Sequence, residues 1–262
     1  MTYHYEDLSE RWRRELNQTC PSSFHSTSHR KRHTMRARQI IESSKLLAAL
    51  EEGVREELAG LMTVHKVSKG DVIWRGGDAK GYFAIVGSGF IKMSRSGGHG
   101  NEVTLEIMGP GQVFGLNGLL LGRACPLNAT ALTPGLYGYA PNAPILPAIN
   151  SNSAFKDALL RRTMLRLHEK VDLLGRMSSG RVEERIVAVL FTLVDSYGRK
   201  ESDRVVIEVP LARQQLAELA ATTTETTVRI MTKWQREGIV STDSRTISIL
   251  NMAALEGIFA TG

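Results

Sequence analysis

The chain has 262 residues, 42% hydrophobic and 23% charged, an ordinary globular composition long enough for two domains. No stretch approaches the about 18 consecutive apolar residues of a membrane-spanning helix, and no apolar leader with a small-residue cleavage site is visible. Cys20 and Cys125 form no spaced pair and no disulfide framework, which suits a reducing cytoplasm and no membrane partner. The net charge of +6 is unevenly placed: residues 1–38 hold eight Lys/Arg against four Asp/Glu, 39–150 nine of each, 151–210 eleven against nine, and 211–262 five of each. Basicity is concentrated in the N-terminal arm, so nucleic-acid binding has to be argued from placement and not from overall charge.

The arm, 1–38, contains "SSFHSTSHRKRHTMRAR", has little to bury and reads as basic and disordered. His25, His29 and His33 recur every fourth residue, a spacing that suits a metal on a helix. Arg30, Lys31 and Arg32 among them repel a cation, and no metal site is expected. Met35 is a second candidate start. From Ile40 to Met62 apolar residues recur at helical spacing (Ile40, Leu47, Leu50, Val54, Leu58, Leu61) and predict two short helices broken near Gly53. The texture then changes to short β-rich runs punctuated by glycine: "DVIW", "YFAIV", "FIKMS", "EVTLEIM", "QVFG", "TALT" and "LYGYA". Such runs predict a small antiparallel roll or barrel over 39–150, closed by Pro134, Pro141, Pro144 and Pro147.

After Ser153 the pattern is helical again. Leu160, Met164, Leu167, Val171 and Leu174 step by four, three, four and three, the spacing of a coiled-coil seam. An amphipathic helix packed inside one subunit has the same spacing, so a homodimer and a single-subunit core both fit. Gly180 ends this segment (151–180), "RVEERIVAVLFTLVDSYG" reads as a core helix, and "DRVVIEV" alternates like a strand before Pro210.

The segment 181–262 carries the functional signal. Leu211, Leu216 and Leu219 mark the buried side of one helix. Five threonines at 222–227 open the next, whose Ile230, Met231 and Trp234 follow at helical spacing. Thr222 or Thr223 can cap it, and Thr222-x-x-Glu225 fits a capping box. Two helices joined by a short turn make a helix-turn-helix, and "EGIVSTDSRTISIL" supplies two strands and a polar turn as a wing. Threonine is a mediocre helix former, and capping explains one or two of the five. In a helix lying in the major groove, however, threonine offers a donor, an acceptor and a methyl group for thymine. Thr224, Glu225, Thr226 and Arg229 are therefore the candidate base readers.

Three blocks resemble the superfamily of cyclic-AMP receptor protein and fumarate–nitrate regulator (CRP/FNR) transcription factors. "GDVIWRGGDAKGYFAIVGSGFIKM" with "MGPGQVFG" is similar to its β-roll, 153–179 stands where its dimer helix lies, and "ARQQLAELAATTTETTVRIMTKWQREGIV" is similar to its helix-turn-helix. The resemblance implies an α+β chain with an N-terminal antiparallel, cyclic-nucleotide-binding-like roll, a long dimerisation helix and a C-terminal winged helix-turn-helix. It implies a bacterial regulator that binds double-stranded DNA as a homodimer and works with RNA polymerase. Glu225 and Arg229 match the family's Glu and the Arg four positions later, which read a G·C pair. Arg213, Gln214 and Thr223 fall at backbone-contacting positions. Thr224 stands where some members have a base-reading Arg.

Cyclic AMP is not expected as effector. In members that bind it, a Gly-Glu pair holds the ribose and an Arg-Ser or Arg-Thr pair neutralises the phosphate. Here Leu116 follows Gly115, no carboxylate occurs between Glu106 and Asp157, and Cys125-Pro126 takes the Arg-Ser place. Arg123 lies two residues away, within reach of a shifted alignment. The pocket left by these changes would be apolar, lined by Leu116, Leu119, Cys125 and Leu127 beside Arg123, and would suit another small molecule or none. Two distant cysteines cannot hold an iron–sulfur cluster. Haem would require His65 or Cys125 as axial ligand, and a histidine between strands reads as structural. No Ser/His/Asp order, P-loop or zinc signature points to an enzyme. The alternative reading is a ligand-binding signalling module whose winged helix contacts a protein instead of DNA.

Overall fold

The computed structural model describes residues 27–78, 81–96, 102–116 and 122–260, of which 27–33, 176–179 and 259–260 are described by backbone alone. The His25, His29 and His33 spacing falls outside the described side chains. Helix α1 (Thr27–Glu42) corrects the reading of the arm as disordered for its last residues only, because its last turns are anchored; residues 1–26 lie outside the described residues. Ala37, Ile40 and Ile41, spaced three and one apart, are buried, and Arg38 donates to Glu42 at 2.8 Å and to Glu52 at 2.6 Å. The helix stops where Ser43 Oγ donates back to the Ile40 carbonyl at 2.7 Å, local competition typical of serine. The break thus lies before Gly53, which sits in the first turn of α2 (Glu52–Leu61), after a single 3-10 turn at Leu47–Ala49.

Eight strands follow: β1 (Thr63–Val67), β2 (Val72–Trp74), β3 (Tyr82–Ser88), β4 (Ile91–Ser96), β5 (Glu102–Met108), β6 (Val113–Phe114), β7 (Asn128–Ala131) and β8 (Gly135–Pro141). They pair antiparallel into two sheets, β1-β8-β3-β6 and β2-β7-β4-β5, as the expected roll. "YFAIV" reads as one apolar run because β3 is covered on both sides. Phe83 and Ile85 pack against Leu47, Leu58 and Phe155, whereas Ala84 and Val86 face the roll interior with Trp74, Met93 and Phe114. Strand β1, with exposed His65 and Lys66 between its valines, gave no clear signal in the sequence.

Helices α3 (Ile145–Ser151), α4 (Ser153–Ser179) and α5 (Val182–Tyr197) connect the roll to the C-terminal head. The head continues through β9 (Gly198–Glu201), β10 (Arg204–Ile207), α6 (Arg213–Leu219), α7 (Thr224–Arg236), β11 (Val240–Asp243), β12 (Thr246–Ile249) and α8 (Met252–Ala260). Its sheet runs β11-β12-β10-β9, so the wing is the edge of a four-stranded sheet and not a lone hairpin. Polar β9 and the terminal α8 were not foreseen. Roll and head meet around Tyr197, whose hydroxyl donates toward Gln112 Oε1 at 2.6 Å and the Ile107 carbonyl at 2.9 Å and accepts from Gly109 N–H at 3.0 Å. Burial pushes that phenol's pKa far up, so it stays a neutral donor.

Candidate nucleic-acid interface

Helix α7 divides sharply into two sides. Thr227, Ile230, Met231 and Trp234 are buried, while Thr224, Glu225, Val228, Arg229, Thr232, Lys233 and Arg236 are exposed. Glu225 and Arg229, one turn apart, share the outward face. Threonine turns out to have two jobs here. Thr223 is the N-cap, accepting from Thr226 N–H at 3.2 Å, and its hydroxyl donates to Thr226 Oγ1 at 3.0 Å. Thr227 is fully buried and donates back to the Thr223 carbonyl at 3.1 Å. The Thr222-based capping box does not form, because the cap falls one residue later and puts Glu225 at the second helical position. Capping thus accounts for Thr223, Thr226 and Thr227, and Thr224 is left as the freely outward threonine of the first turn. Val228, 44% exposed on the outward face, was not singled out in the sequence.

The turn that aims α7 is held from outside. Arg185 of α5 donates to the carbonyls of Ala220 at 3.1 Å and Ala221 at 3.4 Å, meeting the unsatisfied end of α6. Ala221 itself has φ +49, the left-handed region that glycine occupies without cost. At the other end of α6, Arg213 Nη2 donates to Thr242 Oγ1 of β11 at 2.8 Å, and burial lowers the pKa of this half-buried guanidinium, which nonetheless remains a cation. Gln214 is exposed, its amide donating to Glu218 Oε1 at 2.9 Å. Glu218 also accepts the Thr104 N–H at 2.9 Å and the Thr104 hydroxyl, so α6 is tied to strand β5 of the roll. Arg185, Thr242 and Glu218 left no pattern in the sequence, since each acts across a long separation in the chain.

The residues of the candidate effector pocket do not meet in one place. Cys125 and Leu127 pack inside the roll with Trp74, whose indole N–H donates to the Leu127 carbonyl at 3.0 Å and whose ring lies 4.8 Å from Phe114. Leu116 instead belongs to the core on the helix side of the sheet, with Phe83 and Ile85. The expectation that these residues line one pocket is therefore corrected: Leu116 packs in a different core from Cys125 and Leu127, on the other side of the sheet. Leu119 lies outside the described residues, and Arg123 is exposed. Burial pushes the Cys125 thiol's pKa up. His65 stacks on Tyr137 at 5.0 Å and shares a 3.1 Å hydrogen bond with Thr63. A groove of about 1080 Å³ lies elsewhere, between β5–β6, α4 and α5, lined among others by Glu106, Arg162, Arg166 and Lys170. There Arg166 pairs with Glu106, Arg162 donates to the Val113 carbonyl, and burial, with Arg166 adding to it, pulls the Arg162 pKa down to about 10.

On α4, Leu160, Met164, Leu167, Val171 and Leu174 are 51–62% exposed, so the stripe has no partner within its own chain among the described residues. No helix among the described residues is long and apolar enough to cross a membrane, and no group of three His, Cys, Asp or Glu residues there could hold a metal ion.

The profile of the Crp-like helix-turn-helix domain matches residues 184–258, and that of the cyclic nucleotide-binding domain matches 64–152. The chain belongs to the CRP/FNR superfamily of transcription regulators. The Global nitrogen regulator of Synechococcus elongatus is 22% identical to this CRP/FNR chain over 201 residues, 76% of this chain and 90% of that protein. The Transcriptional regulator LdrP of Thermus thermophilus is 25% identical over 191 residues, 72% and 92% of the two chains. Among solved structures, FixK2 from Bradyrhizobium japonicum superposes with TM-score 0.66 at 18% identity, covering 76% of this chain and 97% of its own. TTHB099, a CRP-family regulator from Thermus thermophilus, gives 0.60 at 22% identity, covering 75% and 96%. The head is thus a helix-turn-helix DNA-binding unit and the protein a DNA-binding regulator.

Proposed function

We propose that this CRP/FNR chain acts in the cytoplasm as a homodimer that reads a near-palindromic operator. The observation that carries the proposal is the outward face of α7, where exposed Glu225 and Arg229 stand one turn apart on a helix whose opposite side is locked into the core. Glu225 accepts from cytosine and Arg229 donates to guanine, together specifying a G·C pair in each half-site. Thr224 and the hydroxyl of Thr226 add weaker preferences, and Val228 presents methyl groups to a thymine methyl. Arg213, Gln214 and Thr223 set register on phosphates. Helix α4 pairs with its copy through Leu160, Met164, Leu167, Val171 and Leu174. This brings two reading helices to half-sites about one helical turn, ~34 Å, apart, with RNA polymerase as the further partner.

The roll then works without cyclic AMP. Trp74, buried on Phe114 and hydrogen-bonded to Leu127, fills the interior, and neither the carboxylate nor the arginine that would hold a cyclic nucleotide is present at its expected position. An effector, where one acts, has a different chemistry. Selection of bound sequences from a random duplex pool tests the proposal. Arg229→Ala should relax one symmetric position by roughly 1–3 kcal/mol of discrimination, and an unchanged preferred motif would falsify the assignment. Calorimetry with cyclic AMP should show no one-site-per-chain binding that raises operator affinity.

A further inference from the structure

Strand β5 ends its sheet, so among the described residues its outer side has no neighbouring strand for its backbone groups. Three helices supply the partners instead. Lys170 of α4 donates to the Leu105 carbonyl at 3.0 Å, Tyr197 of α5 donates to the Ile107 carbonyl at 2.9 Å, and Glu218 of α6 accepts the Thr104 N–H at 2.9 Å. On the inner side Met93 pairs with Glu106 and Ser94 with Thr104, which leaves Leu105 as a bulge that bends the strand at this point. The stripe-bearing helix, the connecting helix and the first helix of the reading unit are thus all mounted on residues 104–107 of the roll.

The bond to α6 is the most constrained of the three. Thr104 is fully buried, and both its N–H and its hydroxyl donate to Glu218 Oε2. The other carboxylate oxygen accepts from the Gln214 amide. With both oxygens held by charge-assisted bonds, the carboxylate fixes one orientation of α6 on the roll. A negative charge on the helix that carries Arg213 and Gln214 weakens attraction to DNA, so electrostatics gives no reason for it. Docking does: with α6 held in this way, the outward face of α7 stays uncovered, and the docked head is a reading head. We propose that Glu218 is a positioning residue: its latch on Thr104 holds the head with α7 already aimed at DNA, so that reading requires no ligand in the roll. An unlatched head would sample other orientations, and affinity would fall with the fraction correctly aimed. The proposal rests on the DNA-binding reading and deepens it.

The full-length protein is tested on a duplex recovered by selection and on a scrambled duplex of equal composition, between about 0.05 and 0.2 M salt. Removing a carboxylate should by itself tighten binding to a polyanion. Glu218→Ala is expected to do the reverse, with affinity for the selected duplex falling roughly tenfold as the aimed orientation drops to about a tenth of the population. The slope of log affinity against log salt stays unchanged, since no phosphate contact is lost. Glu218→Gln, which keeps an acceptor and drops the charge, should hold affinity within about twofold. Thr104→Val, on the roll, should cost about threefold, and nothing further in the Glu218→Ala background. Exchange of the Thr104 amide should quicken roughly tenfold in Glu218→Ala, with the oligomeric state unaltered in sedimentation. Unaltered or tighter binding by Glu218→Ala, a reduced salt slope, or additive losses in the double variant overturns the latch. Where Glu218→Ala does not fold, Thr104→Val decides alone, and unaltered affinity overturns the latch. Should the unaltered protein prefer neither duplex while Thr104 exchange still quickens in Glu218→Ala, base readout has failed and the latch stands.

Discussion

Helices α4 and α5 follow one another in the chain, carry apolar residues at similar helical spacing and end up with opposite surfaces. In α5, Ile186, Val187 and Leu190 are fully buried among Leu216, Ile230, Trp234 and Ile247 of the head. In α4, among the described side chains, Phe155 and Leu159 at the N-terminal end are buried, and from Leu160 to Leu174 the apolar stripe points to solvent. The polar face of α4 is what holds the roll, through Arg162 on the Val113 carbonyl, Arg166 on Glu106 and Lys170 on the Leu105 carbonyl at 3.0 Å. Apolar periodicity states that a face will be covered; it does not state by what. An exposed stripe of this kind is uncommon on a monomer and marks an interaction surface.

The sharpest way to break the comparison is to truncate a core residue of α5. Leu190→Ala should cost about 2–5 kcal/mol of stability and melt the head whether or not dimers form, measured by denaturant unfolding. Leu167→Lys on α4 should leave the fold of the single chain close to unchanged. Two lysines brought into one seam should weaken self-association by roughly a hundredfold, with operator binding falling alongside. Sedimentation in which Leu167→Lys stays dimeric and binds normally would show that the stripe of α4 has been misassigned.

Tyr197 ends α5 and tests how firmly that helix couples head to roll. Tyr197→Phe removes the hydroxyl that bridges Gly109 N–H, Gln112 Oε1 and the Ile107 carbonyl, leaves Gly109 and Gln112 only their 3.2 Å bond to each other, and should cost about 1 kcal/mol, seen as a lower unfolding midpoint. If head and roll then unfold in two separate steps, the hydroxyl is a main link between them. The smallest effect concerns strand β5. Lys92, bonded to Glu102 at 2.6 Å, and then Ser94 lower the pKa of the Glu102 carboxyl. A depressed carboxyl pKa means stability that is present above the ordinary carboxylate range and lost as pH falls through it. Glu102→Gln should flatten the acid limb of the stability curve by well under 1 kcal/mol, given the partial exposure of the pair.

Much of the head was legible because local signals there agree with one another. The leucines of α6, the apolar triplet Ile230, Met231 and Trp234, and the polar turn of the wing all point to one arrangement. The cap was ambiguous between Thr222 and Thr223, since one residue of slip changes no pattern; the packing of Thr227 into the core decides it. The candidate pocket was misjudged for a related reason. Leu116 and Cys125 are close in sequence and equally apolar, but a β-sheet separates them, and closeness in sequence carries no information about which side of a sheet a residue reaches. The end of the arm was misread because only Ala37, Ile40 and Ile41 signal burial, and they come last in a strongly basic run.

The sequence alone determined the glycine-punctuated roll, the long helical stretch after it and the helix-turn-helix of the head, because turn chemistry and periodicity are properties of neighbouring residues. Only the tertiary structure decided which helix lends its apolar face to its own chain and which leaves it open, that Trp74 is buried in the roll, and that Arg185, Thr242 and Thr104 tie down α6. Those outcomes depend on contacts between residues far apart in the chain, which exist only once all the layers are packed together.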